Sequence, residues 1–109
     1  MDYQTITLDI TEGMAVLTMN RPDKMNALNS QMRAEITHAV KEAEANARVL
    51  VLTGAGRAFC TGQDLSDRGN AGNLDIERSL RDEWTPMLRA INDCKIPTIS
   101  AVNGPAAGA

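Results

Sequence analysis

The sequence predicts an α/β fold with parallel strands, and three observations carry that prediction. Val49-Leu50-Val51-Leu52 is apolar on consecutive positions, the pattern of a strand covered on both faces, as in a parallel sheet. Ahead of it, Met32, Ile36, Ala39, Val40 and Ala43 recur at helical spacing. Behind it runs a glycine-punctuated loop, Thr53-Gly54-Ala55-Gly56-Arg57-Ala58-Phe59-Cys60-Thr61-Gly62-Gln63-Asp64-Leu65. Strand, helix, strand in this order implies a right-handed crossover.

The elements follow in turn. Tyr3 to Ile10 alternates, with Ile6, Leu8 and Ile10 on one face, and Glu12-Gly13 turns the chain into Met14–Met19. That is a β-hairpin. Pro22 fixes its own φ and biases Arg21 toward an extended conformation, so a loop runs through Leu28. Asn29 or Ser30 can cap the next helix, whose opposite face carries Arg33, Glu35, Lys41, Glu42 and Glu44. Beyond the glycine loop, Ser66 to Asn73 is polar, holds Gly69 and Gly72, and is expected to be exposed and mobile. Ile76, Leu80, Trp84, Met87, Leu88 and Ile91 resume helical spacing. Pro86 either kinks that helix or occupies the first turn of a second one capped by Thr85. Thr98 to Val102 is expected to be another short buried strand, turned by Asn103-Gly104-Pro105. Ala106-Ala107-Gly108-Ala109 reads as the start of a helix, with no terminator after it. The pattern is that of a chain interrupted inside a supersecondary unit.

Size and composition narrow the classes. The 109 residues make one small domain, able to bury ~65% of its unfolded surface. Fourteen acidic against 11 basic residues, mixed along the chain, give a net charge of −3 and no basic stripe for nucleic acid. Tyr3, Phe59 and Trp84 are the whole aromatic set, too sparse for base stacking. The start lacks the basic and apolar regions of a secretory signal, and no apolar run approaches the ~20 residues that span a bilayer. A soluble cytoplasmic protein is expected. Cys60 and Cys94 have no metal or redox spacing and read as free thiols in a reducing compartment.

Side-chain chemistry is scarce. There is one His, and no cluster of metal ligands, so no metal site is expected. Gly54-Ala55-Gly56 lacks the spacing of a dinucleotide fingerprint, and no Walker lysine follows either glycine loop. His38 reads as a structural histidine. Asp64 suits capping the turn through nearby N–H groups better than a catalytic role. Asp67, Asp75, Glu77, Asp82 and Glu83 read as a solvated face, as do Glu42 and Glu44. The backbone is the remaining resource. Two small-residue loops each follow a strand, and in a parallel sheet both strand ends can lie at one edge. They then make either two tight strand-to-helix turns or an oxyanion hole, each loop pointing an N–H at one oxygen.

Four segments carry a family resemblance: Met19-Asn20-Arg21-Pro22-Asp23-Lys24-Met25-Asn26-Ala27-Leu28, Val49-Leu50-Val51-Leu52-Thr53-Gly54, Phe59-Cys60-Thr61-Gly62-Gln63-Asp64-Leu65, and Lys95-Ile96-Pro97-Thr98-Ile99-Ser100-Ala101-Val102-Asn103-Gly104-Pro105-Ala106-Ala107-Gly108. In order and spacing they resemble the enoyl-CoA hydratase/isomerase, or crotonase, family. The resemblance implies a crotonase-like ββα spiral, of which residues 1–109 are the N-terminal part. It implies trimers or pairs of trimers at full length, and an acyl-CoA thioester as substrate with no cofactor beyond its coenzyme A. The family's two oxyanion N–H groups fall on Gln63 and Ala109. Lys24, Met25, Ala27 and Leu28 fall on the loop that lines the CoA channel, where Lys24 meets phosphate. Thr61 falls where the backbone contacts the adenine, and Gly62, Asp64, Leu65 and Gly108 complete the substrate-binding set.

The reaction implied is hydration or isomerisation of an enoyl-CoA through an enolate. The carboxylates that move the proton and water in hydratases fall beyond Ala109, so the segment is expected to be inactive alone. The Gly-Gln-Asp-Leu wording with Asp67-Arg68 resembles the phenylacetate-catabolism branch. Epoxyphenylacetyl-CoA isomerase chemistry is therefore one alternative. A non-catalytic CoA-binding or assembly module is another.

Overall fold

A hairpin opens the chain because Glu12 and Gly13 both take positive φ, 52° and 82°, which reverses the backbone between two extended runs. In this computed structural model, which describes residues 2–66 and 76–109, strand β1 (Ile6–Thr11) pairs antiparallel with β2 (Met14–Met19). After a 3₁₀ turn at Pro22–Lys24, helix α1 (Ser30–Asn46) leads into β3 (Val49–Gly54). A helical stretch follows as α2 (Ile76–Ser79), a π turn (Leu80–Trp84) and α3 (Thr85–Asn92). The last strand is β4 (Thr98–Ser100). The sheet order is β1-β2-β3-β4, with β3 parallel to both β2 and β4. The α/β class and the parallel crossover expected from the sequence are both present. The segment expected to be mobile lies, beyond Ser66, outside the described residues, as do Asp67, Arg68 and Asp75.

Helix α1 starts at Asn29, whose Oδ1 accepts the Met32 N–H at 2.9 Å. Its apolar stripe, Met32, Ile36, Ala39, Val40 and Ala43, is wholly buried against Ala15, Leu17, Met19, Leu50 and Leu52 of the sheet. Burying each of the larger side chains, Met32, Ile36 and Val40, contributes roughly 1.5–3 kcal/mol. This packing fixes the ends of β2 and β3 in one place, and the functional loops leave from those ends.

Several expectations need correction. Arg33 and Glu35, read as members of the polar face, are 1% and 3% exposed. The N-terminal segment packs over Glu35, whose carboxylate accepts from Thr5 N, Thr5 Oγ1, Gln4 N and Gln31 Nε2. Burial pushes Glu35 up, but those donors outweigh it and hold the carboxyl below its ordinary range. Glu83, read as solvated, is instead the ion-pair partner of Arg33. Hydrogen bonds from Arg33 and Ser30 hold its carboxyl down as well.

Strand β3 is not covered equally on both faces: Leu50 and Leu52 are buried, while Val49 and Val51 are half-buried. Helix α1 takes one face only. Strand β4 is an exposed edge, with Ile99 at 52% and nearby Val102 at 58% exposure. Residues 106–109 form no helix; Ala106 makes an isolated parallel bridge with Cys60. Pro86 occupies the first turn of α3, one of the two places expected for it, but Thr85 does not cap that helix. Thr85 is helical, and its N–H reaches the Leu80 carbonyl, five residues back. The wider π turn just before Pro86 accommodates a residue that brings no N–H of its own.

Candidate functional site

The site is assembled from loops, and two asparagines hold the central one. Asn26 is fully buried and sits at φ 58°, a left-handed conformation that Asn tolerates better than most residues. Its Oδ1 accepts the Arg21 N–H at 2.8 Å, and its Nδ2 donates to the carbonyls of Ala55 and Ala58 at 3.0 and 2.9 Å. Asn103 grips from the other side. Its Oδ1 accepts the Gly54 N–H at 3.1 Å, and its Nδ2 donates to Gly56 O and Ala58 O at 3.1 and 3.2 Å. The Ala58 carbonyl therefore has two amide donors. The turn between Gly54 and Phe59 is held in one shape by side chains from opposite ends of the chain.

Past that turn, Leu28 straps the next segment. Its N–H donates to Gly62 O at 2.7 Å, and its carbonyl accepts the Asp64 N–H at 3.0 Å. This is a parallel bridge between Leu28 and Gln63. In such a bridge the middle residue turns its own N–H away from the partner strand. Among the described residues the Gln63 N–H has no hydrogen-bond partner. It is a free donor on an anchored peptide.

Asp64 locks the far side of the same peptide. One carboxylate oxygen accepts the Ser66 N–H and Oγ, at 3.0 and 2.6 Å, and the other meets Arg21 Nη2 at 3.0 Å. The Ser66 hydroxyl, then Arg21, hold this carboxyl down at about 2 against burial that opposes them. Asp64 is an anion that braces a turn.

The second loop meets the first through glycine. Gly62 and Gly108 take φ of 90° and 75°, and a Cβ added at Gly62 would stand 3.1 Å from Ala107 O, 3.3 Å from Gly108 Cα and 3.6 Å from Ala109 N. Ala107 N–H donates to Cys60 O at 3.0 Å and joins the two segments. Gly62 thus lies against Gly108 and close to the Ala109 nitrogen, with Gln63 next to it in the chain. Thr61 joins Met25 through a hydrogen bond from Oγ1 to the Met25 carbonyl at 3.2 Å. Ala27 is half-buried, and its carbonyl accepts from Arg21 Nη1. Lys24 is exposed at the end of the 3₁₀ turn, and Leu65 is 74% exposed.

An apolar cavity of about 170 Å³ opens beside this junction, lined among others by Met19, Leu28, Leu52, Phe59, Cys60 and Ala109. Burial pushes the Cys60 thiol up, although the Gly62 N–H opposes it, so the wall carries a neutral, inert thiol. A wider cleft of about 650 Å³, between Thr85 and Thr98, includes none of the residues expected at the site. No group of His, Cys, Asp or Glu among the described residues could hold a metal ion. The arrangement can do one thing well: present main-chain donors to a polar atom whose apolar attachment sits in the cavity.

The model of the enoyl-CoA hydratase/isomerase family matches residues 9–109. The chain belongs to that family. A protein of Rhodobacter capsulatus named probable enoyl-CoA hydratase is 55% identical over all of this chain and 42% of its own length. The 1,2-epoxyphenylacetyl-CoA isomerase of Escherichia coli is 40% identical over 92% of this chain and 40% of its own length. Among solved structures, an enoyl-CoA hydratase/carnithine racemase from Magnetospirillum magneticum superposes with a TM-score of 0.89 at 31% identity, over 98% of this chain and 42% of that one. The fold is the crotonase fold, and the chain spans about 42% of the length of the Rhodobacter relative. No helix among the described residues is long and apolar enough to cross a membrane.

Sequence reasoning missed Asn26, Asn103 and Arg33. By local sequence Asn26 reads only as a loop residue and Asn103 only as a turn former. The available signal was chemical: a lone amide between small or apolar neighbours offers both a donor and an acceptor to backbone on either side.

Proposed function

We propose that the full-length protein carrying this chain is an enoyl-CoA hydratase or isomerase acting on an acyl-CoA thioester. The N–H groups of Gln63 and Ala109 form its oxyanion hole. The observation that carries the reading is the strapped Gln63 N–H, without a partner among the described residues, beside the Gly62–Gly108 contact and the apolar cavity. A thioester carbonyl aimed at these donors puts its acyl chain toward the cavity. As an enolate forms, negative charge grows on that oxygen, and preorganised N–H groups stabilise the transition state more than the ground state. Lys24 supplies charge for CoA phosphate, Met25, Ala27 and Leu28 line the channel, and Thr61 lies at the adenine end. Gly62, Asp64, Leu65 and Gly108 shape the substrate-binding loops. The protein works in the cytoplasm as a trimer or a pair of trimers.

Loss of enoyl-thioester absorbance on adding the full-length protein to an enoyl-CoA tests hydration. Failure to bind or transform any CoA thioester would sink the reading. A second reading, isomerisation of a ring epoxide CoA ester in phenylacetate catabolism, is supported by the 40% identity to the Escherichia coli isomerase. Product analysis on an epoxyphenylacetyl-CoA separates the two.

A further inference from the structure

Arg33 carries a guanidinium held at 1% exposure, and nothing in the acyl-CoA reading assigns it a task. Its position is informative. Nη1 donates to Leu28 O at 2.9 Å, the same oxygen that accepts the Asp64 N–H. Nη2 meets Glu83 Oε1 at 2.5 Å and Ser30 Oγ at 3.2 Å. The guanidinium lies over the Trp84 ring, 4.6 Å from its centroid. We propose that Arg33 is a positioning residue for the Gln63 N–H donor, acting through the Leu28 carbonyl and aimed by Glu83. The proposal rests on the oxyanion reading of Gln63.

The coupling runs through one planar group. A guanidinium holds its two terminal nitrogens in a fixed fork, so fixing Nη2 on Glu83 and the plane on Trp84 leaves Nη1 a single direction. That direction is the Leu28 carbonyl. Leu28 in turn supplies both hydrogen bonds that flank Gln63, and these set the tilt of the Gln63 peptide. A buried ion pair is weak evidence for stability, since apolar replacements are often as stable. Its value here lies in placement. Lysine could hold the charge, but it cannot serve Glu83 and Leu28 along two fixed directions.

The test uses full-length protein and two measurements: steady-state hydration of butenoyl-CoA, and the thioester carbonyl stretch of bound cinnamoyl-CoA. The stretch shifts when donors polarise the carbonyl. Arg33→Met is expected to lower kcat about tenfold or more, with KM changed by about twofold at most, because misplaced catalytic donors cost transition-state rather than ground-state binding. The bound carbonyl stretch should lose most of its shift, and Arg33→Lys should recover less than half of it. Glu83→Gln should lower kcat by about threefold with a partial loss of shift. Val40→Ala, a buried change in the same helix, should cost stability without moving kcat or the stretch. An unchanged stretch and kcat in Arg33→Met would overturn the proposal, as would changes that Val40→Ala reproduces. Should Arg33→Met not fold, an unchanged stretch in Glu83→Gln would overturn it equally. A wild-type protein that neither binds cinnamoyl-CoA nor shifts its carbonyl would overturn both the proposal and the reading beneath it.

Discussion

Replacing Asn26 by aspartate changes one amide group to an oxygen and asks whether the central loop depends on that donor. In the wild type Nδ2 serves Ala55 O and Ala58 O, at 3.0 and 2.9 Å. When protonated, the new carboxyl keeps one O–H donor. It can satisfy Ala55 O while Ala58 O keeps its bond from Asn103, so the neutral variant loses about 1 kcal/mol. When ionised, the same group puts a buried anion against two carbonyl oxygens. Burial and those dipoles should raise its folded-state pKa by roughly two units, and each unit is worth ~1.4 kcal/mol. A raised folded pKa means the penalty is small below the unfolded value of ~3.9 and grows as pH rises through the folded one. The expected destabilisation is therefore about 1 kcal/mol near pH 3 and about 4 kcal/mol near pH 7. Urea denaturation of wild type and variant, compared at each pH, measures the difference and cancels the other titrating groups. A gap that stays flat with pH, or stays under ~1 kcal/mol at neutral pH, would refute the buried position given to Asn26.

Other changes probe the remaining parts. Gln63→Pro removes the free N–H and should abolish turnover, whereas Gln63→Ala should largely spare it, since one lost oxyanion donor costs ~3 kcal/mol of transition-state stabilisation. Equal activity in the two variants, measured on an enoyl-CoA, would remove Gln63 from the site. Gly62→Ala, at φ 90° with Ala107 O 3.1 Å from the new Cβ, should destabilise by about 1–3 kcal/mol and lower kcat more than KM. A wild-type melting curve would speak against the close approach. Asp64, held at about 2 against an ordinary 3.8, stabilises the folded state above the ordinary value and loses that contribution as pH falls through about 2. The stability gap between wild type and Asp64→Asn should be full above about pH 4 and close below it, readable by acid titration of thermal melting.

The elements most legible in the sequence are those governed by one periodicity. The hairpin, helix α1 with its Asn29 cap, and β3 all follow from local spacing and turn chemistry. Arg33 and Glu35 escaped because helical periodicity sorts residues by polarity, and these two find their partners far away along the chain, at Glu83 and at Thr5. The short run after Lys95 suited a covered strand, but β4 is an edge whose neighbour lies on one side only. At the candidate site, the juxtaposition of the two glycine loops was readable from strand direction. The amide clamps were not, because each joins residues about 30 to 50 positions apart.

Where Gly62 and Gly108 meet, main chain lies against main chain, and no side chain stands between them to be exchanged. Mutational drift can therefore resculpt the neighbouring walls while the two backbones keep their spacing, provided both glycines persist. Proteins bearing hydratase and isomerase names match this chain in sequence, and one whose name includes racemase superposes on it. Substitutions that reshape the cavity act around that contact, and the contact itself has almost no vocabulary in which to change.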